Sequence, residues 1–215
     1  MNKDDMIKLF ESVKNSEIEI EEAMKKIEDL PFSDLGFASI DSHREIRVGY
    51  PEVIYCAGKT VEQVKSIVQF MMTKDSNIVA TRASEEMYRA VKEICREASY
   101  NLPGRIITVR KREEKLTESY IAIISAGTSD LPVVEEAAET ALILGNRVEK
   151  IVDVGVAGIH RLFSKLDIIR GAKVIIVVAG MEGALASVVG GLVNKPIIAV
   201  PTSVGYGANF GGLSA

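Results

Sequence analysis

Two short apolar runs near the C-terminal end, 174–179 (VIIVVA) and 197–200 (IIAV), constrain the fold more than any other feature. Both are rich in β-branched residues and bounded by Gly or Pro, as strands buried on both faces of a parallel sheet are. The residues between them, 182–193, predict a helix of small residues with Gly190 and Gly191 near its end. Eight of the 17 glycines lie between Gly180 and Gly212. Apolar runs beside such a stretch must be buried, so it does not read as a linker. It predicts backbone approaching a ligand at the carboxyl ends of parallel strands.

The preceding residues repeat the pattern. A strand at 120–125 runs through Ala126-Gly127-Thr128-Ser129-Asp130 into a helix at 131–144, with Pro132 in the first turn and Gly145 after the end. A strand at 150–154 opens through GVAGIHR into a helix reaching about residue 166. Strand and helix alternate four times, which predicts an α/β fold with a parallel sheet and helices on both faces.

Upstream, amphipathic periodicity predicts helices at 4–14 and 18–30. Short strands are expected around 35–39 and 51–55, flanking a loop that carries Asp41, His43, Arg44, Glu45 and Arg47. That cluster reads either as a solvated loop or as an anion-binding edge. Thr60 caps a helix at 61–72, a strand follows at 77–80, Ser84 caps a helix through 97, and 106–109 is a strand. The polar run RKREEKLTES (110–119) reads as a connection. The division is a small N-terminal α/β domain with its helical pair (1–112) and a second α/β domain (113–215).

Net charge is −4, and the first thirty residues hold nine acids against five bases. The remainder is neutral overall, which argues against a nucleic-acid partner. No apolar stretch of about twenty residues predicts a membrane span, and the N-terminus lacks a signal-peptide core, so a cytoplasmic protein is expected. Cys56 and Cys95 have neither CxxC nor zinc-ligand spacing and read as structural.

The loops SAGTSD, VGVAGIHR, AGMEGALAS and PTSVGYGANFGG all leave the carboxyl ends of the second domain's strands, where they are expected to form one crevice. Gly127, Thr128 and Ser129 at a helix start suit a phosphate through N–H groups and hydroxyls. Arg161 suits a bidentate phosphate clamp, His160 suits proton transfer, and Asp130 suits either accepting from ribose hydroxyls or proton transfer. Glu182, among small apolar neighbours, is expected to be desolvated and so raised toward a proton-transfer role. Gly180, Gly183, Ser203, Gly205 and Tyr206 are candidate substrate contacts in the same loops. His43, Arg44 and Arg47 are candidates from the first domain. Asp130, Glu182 and Asp153 are possible metal ligands, without diagnostic spacing. Ser129-Asp130 also reads as a simple N-cap, and His160 as a hydrogen-bonded structural residue.

Ser129-Asp130, His160-Arg161, the AGMEGALAS loop and the VPTSVGYGANFGGLSA tail resemble the PurE-like carboxylase fold that handles aminoimidazole ribonucleotide in purine biosynthesis. DSHREIRVGYPEVIY-x-x-GKT, SAGTSDLPVVEEAAETA, DVGVAGIHRL and GMEGALASVVGGLV are more similar to the LarB family of nickel-pincer cofactor biosynthesis, a relative of that fold. The resemblance covers roughly residues 34–215. It is specific because the purine enzymes lack the first domain and the glutamate at the position of Glu182. It implies a flavodoxin-like three-layer fold and a carboxylase that converts nicotinic acid adenine dinucleotide and CO2 to pyridinium-3,5-biscarboxylic acid mononucleotide and AMP. That product serves lactate racemase maturation. It further implies an octamer, no tightly bound cofactor beyond possible Mg2+, and a cysteine nucleophile in an Asn-Ser-Cys stretch after GGLSA. The sequence given ends at Ala215, before that stretch, and is expected to be truncated there; neither Cys56 nor Cys95 lies in a matching motif. The other readings are an aminoimidazole ribonucleotide carboxylase or mutase and a non-catalytic nucleotide-binding assembly subunit.

Overall fold

The computed structural model describes residues 3–28, 33–41, 44, 48–74 and 76–203. It begins with a helical hairpin, α1 (Lys3–Lys14) and α2 (Ile20–Glu28), closed on Leu9, Ala23 and Ile27. The second helix starts at Ile20 rather than 18 because Ser16 turns the chain with a positive φ of 58°. Next, β1 (Ser33–Asp34) pairs antiparallel with β2 (Ser39–Ile40). The strand expected at 35–39 is mostly a turn, since Gly36 takes φ 82°.

The remaining first-domain elements are β3 (Val53–Tyr55), α3 (Val61–Met71), β4 (Ile78–Thr81), α4 (Glu85–Ile94), β5 (Ser99–Asn101) and β6 (Ile106–Val109). They form a mixed sheet in the order β3-β4-β6-β5, in which only β3 and β4 run parallel. Thr60 and Gln63 cap α3 reciprocally, and the Ser84 hydroxyl accepts from the Met87 N–H at the start of α4. Each such cap stabilises by about 1 kcal/mol. α4 stops at Ile94, not 97, because Cys95 turns extended. β5 escapes sequence reading because Ser-Tyr-Asn carries no strand signal; it forms by pairing with β6.

No described helix or strand occupies 110–119. Beyond it come β7 (Tyr120–Ser125), α5 (Leu131–Ile143), β8 (Arg147–Ile151), α6 (Ile159–Phe163), α7 (Leu166–Gly171), β9 (Val174–Ala179), α8 (Ala184–Leu192) and β10 (Ile197–Pro201). The sheet is wholly parallel in the order β10-β9-β7-β8. β8 starts three residues earlier than expected, because an edge strand accommodates Arg147 and Glu149. The single helix expected after it is two short ones, separated at Ser164-Lys165. α8 starts at Ala184 because Met181 and Gly183 take φ 59° and 69° and form a turn first.

Side chains alternate across this sheet. Ala122, Ile124, Ile175 and Val177 face α6, α7 and α8 in one core, with Leu162, Ile169, Leu185 and Val189. Ile123 and Val178 face Val134 and Ala138 of α5 in another. The result is the expected three-layer flavodoxin-like arrangement. α5 also serves the first domain: Ile143 packs with Val79 and Ile106 on the inner face of the mixed sheet. Opposite that face, α3 and α4 cover Ile78, Ala80 and Ile107. The layers therefore run helices, mixed sheet, α5, parallel sheet, helices.

Polar contacts fasten the two units at α5. Arg82 of the first unit pairs with Glu136 at 2.8 Å, while within the second unit Lys150 pairs with Glu135 at 2.6 Å. Asn101 donates to Glu135 at 3.0 Å, and the buried Asn77 amide donates to the Ile143 carbonyl at 3.4 Å. Partial burial pushes the Glu135 carboxyl up, but the Lys150 and Asn101 hydrogen bonds and the Lys150 charge outweigh it, leaving the group below the ordinary glutamate range. A carboxyl lowered in the folded state stabilises fully above its unfolded pKa, and that stabilisation is lost as pH falls through the folded value. Glu135→Gln is expected to lower the melting temperature at neutral pH, with the difference from wild type closing at acid pH below the carboxylate range. Parallel thermal melts check it.

Candidate active site

In an open parallel sheet, ligands bind where successive connections leave in opposite directions. Here that point lies between β7 and β9, because β8 adds on one side of β7 and β10 on the other side of β9. A cleft of about 550 Å³ opens there, within the range usual for small-molecule sites. Its walls come from the loops after β7, β8 and β9, and they include Gly127, Ser129, Asp130, Gly155, Arg161, Gly180 and Glu182. Three of the four loops expected to form one crevice thus do so; of the fourth, only its first residues are described and none of them lines the cleft.

Asp130 is its fixed carboxylate, only 3% exposed. The Gly127 N–H donates to Oδ2 at 3.1 Å, and the Thr202 hydroxyl donates to Oδ1 at 2.8 Å. Asp130 stands at the N-cap position of α5, but its side chain makes no capping bond to that helix and accepts instead from the Gly127 N–H ahead of it. Nor is the Gly127 N–H left for a phosphate, as expected, since it is directed at Asp130. Thr202 is itself buried, and its N–H bonds the Ala179 carbonyl at 3.0 Å, tying the end of β10 to the end of β9.

Arg161 is the cleft's guanidinium. Its Nη1 donates to the Asp153 carboxylate, which is the one partner of this side chain among the described residues. The guanidinium lies against Gly158, where a Cβ would fall 2.7 Å from Nε and 2.8 Å from Nη2. Glu182 lines the cleft but is exposed, because it sits on the turn ahead of α8 rather than in the sheet's core. The desolvation expected for it is absent.

His160 is exposed on α6 and outside the cleft wall; so is Thr128, on the turn before α5. Gly183 caps α8, and Ser203 is exposed just after Thr202. Arg44 is exposed. His43, Arg47, Gly205 and Tyr206 lie outside the described residues. The three candidate metal ligands do not converge: Asp130 faces Gly127 and Thr202, Asp153 faces Arg161, and Glu182 faces solvent. Among the described residues no group of three or more His, Cys, Asp or Glu side chains could hold a metal ion.

Comparison with known proteins assigns both units. Residues 32–112 match the LarB/PurE-like N-terminal domain, and residues 120–213 match the AIR carboxylase domain. The chain is 36% identical over 212 residues to an uncharacterized protein of Methanocaldococcus jannaschii, covering 93% of this chain and 81% of that one. The chain belongs to the LarB family. Its activity class is accordingly that of the LarB/PurE-like carboxylases.

Sequence reading of this LarB chain missed Thr202, Ser125 and Gly155. A polar residue closing an otherwise apolar strand, as Ser125 closes YIAIIS, is the signal that would have found the second. Cys56 and Cys95 are both buried in the first domain's core. Burial pushes the Cys56 thiol up to about 11, against the opposing pull of Lys59. That direction, with the burial behind it, is the setting of a structural rather than a reactive cysteine. No described helix is long and apolar enough to cross a membrane.

Proposed function

We propose that this chain carries the carboxylase site for converting nicotinic acid adenine dinucleotide, CO2 and water to pyridinium-3,5-biscarboxylic acid mononucleotide and AMP. The supporting observation is the cleft at the switch point, where a pinned carboxylate, Asp130, and a guanidinium, Arg161, share one wall system in a chain that also carries a LarB-type first domain. The carboxylates of Asp130 and Glu182 favour a cationic ring over a neutral one. Arg161 meets the phosphate side of the ligand.

A pyridinium is electron-poor and does not attack CO2 unaided. A thiolate, which the family pattern places in an Asn-Ser-Cys stretch after GGLSA, adds to the ring and makes C5 enamine-like. C5 then forms its bond to CO2, the C5 proton passes to a carboxylate, and the thiolate leaves to restore aromaticity. Water cleaves the phosphoanhydride and AMP departs. Asp130 is the best-positioned proton acceptor, with Glu182 at the rim and His160 more distant from the cleft wall.

Mass spectrometry of mixtures containing the full-length protein, the dinucleotide and bicarbonate tests this. AMP and a carboxylated nicotinate mononucleotide are expected. Turnover of carboxyaminoimidazole ribonucleotide instead would move the protein to the purine branch, and inertness toward both would favour a nucleotide-binding subunit.

A further inference from the structure

The two charged poles of the cleft are joined by one run of hydrogen bonds. The Thr202 hydroxyl and the Gly127 N–H hold Asp130. The Ser125 hydroxyl donates to the Gly127 carbonyl at 3.2 Å, and the same oxygen accepts from the Asp153 N–H at 3.4 Å. The Asp153 carboxylate then holds Arg161. Five links thus run from the end of β10, through the loops after β7 and β8, to α6.

We infer that Ser125 and Asp153 are positioning residues, which set the Arg161 guanidinium at a fixed place relative to the Asp130 carboxylate. Three observations carry this beyond a chance string of contacts. Ser125 is wholly buried, and its one hydroxyl uses both its donor and an acceptor site within the run. Asp153 takes φ 58°, a conformation that non-glycine residues adopt at a cost and that persists where surroundings enforce it. Gly158 has no Cβ at the point where one would collide with the guanidinium held by Asp153.

An isolated half-exposed pair such as Arg161–Asp153 contributes little to stability. Its place in the run assigns it a different task, which is to hold a long side chain in one geometry before a ligand arrives. Asp153 itself is outside the cleft wall, so it acts through Arg161. The ligand class follows from the guanidinium: an anionic oxygen group such as a phosphate monoester or diphosphate.

This inference rests on the pyridine-nucleotide reading for its choice of ligands, and the test separates the two. Calorimetric binding of nicotinic acid mononucleotide and of nicotinic acid riboside is measured for wild type, Ser125→Ala, Ser125→Thr and Asp153→Asn. The order of the Arg161 side-chain Nε–H is followed by 15N relaxation on the same proteins without ligand. Expected are a roughly tenfold weaker mononucleotide affinity in S125A and D153N, unchanged riboside affinity, and recovery in S125T. The Arg161 Nε–H should loosen in S125A and D153N, although Ser125 never touches it. Equal weakening of both ligands, or an Arg161 signal unmoved in S125A, overturns the positioning role. If wild type binds neither ligand, the pyridine-nucleotide reading falls, and the relaxation data alone decide the positioning role.

Discussion

Asp130→Asn should lower turnover by about two to four orders of magnitude while leaving a folded protein. The substitution keeps the shape of the side chain but removes the charge and one acceptor. The Gly127 N–H can only donate, so the amide oxygen must face it. The amide NH2 then faces the Thr202 hydroxyl, whose proton must turn away to let its oxygen accept. That rearrangement costs about 1 kcal/mol, in the range of one exchanged hydrogen bond. Asp130→Ala is harsher, because it leaves the Gly127 N–H without its acceptor, and a buried donor so orphaned costs about 1–3 kcal/mol. Kinetics and thermal melts on both variants check the argument. Turnover of D130N near wild type would remove Asp130 from the proton-transfer role.

Gly155→Ala should be among the most damaging single-methyl additions in the chain. Gly155 has an ordinary negative φ of −59°, so any residue could adopt its conformation. The obstacle is space: a Cβ would lie 2.7 Å from the Ala126 carbonyl oxygen and 3.4 Å from its carbon. Both are backbone atoms of the neighbouring cleft loop, and neither can rotate aside. Relief requires the loops after β7 and β8 to part, which misplaces Ser125, Gly127 and Asp153 together. A loss of about 3 kcal/mol is expected from overpacking, equivalent to a melting temperature roughly 10 °C lower for a chain of this size. Gly191→Ala is the matched control. It lies in α8 with nothing within 4 Å of the added carbon, so alanine there should hold or raise the melting temperature. Equal losses in both variants would show that close approach at Gly155 is not what matters.

The parts of the architecture governed by short-range rules were legible in the residues. β6, β7 and β9 carry the expected limits because a buried strand announces itself by its own apolar run. The caps at Thr60 and Ser84 were readable for the same reason, each being a contact within three residues. β5 was invisible because its stability comes from a partner strand rather than from Ser-Tyr-Asn. The start of β8 was hidden by charges that only an edge strand tolerates. At the site, the loops and the charged residues were legible, but the partners were not. That Thr202 reaches Asp130 depends on strand order, seventy-two positions apart in sequence. Glu182 was misread because small neighbours in sequence suggested burial, whereas the turn ahead of α8 carries the side chain outward.

α5 stands between two sheets and completes the core of each. Gly104 presses this junction tight: a Cβ there would come within 3.0–3.1 Å of the Glu135 and Glu136 backbone. Such a helix leaves no plane along which the two halves could hinge or slide without opening a core. Domain closure, the usual way a two-part enzyme encloses its ligand, would have to break that packing. The cleft lies wholly within the second unit, so entry to it is governed by that unit's own loops.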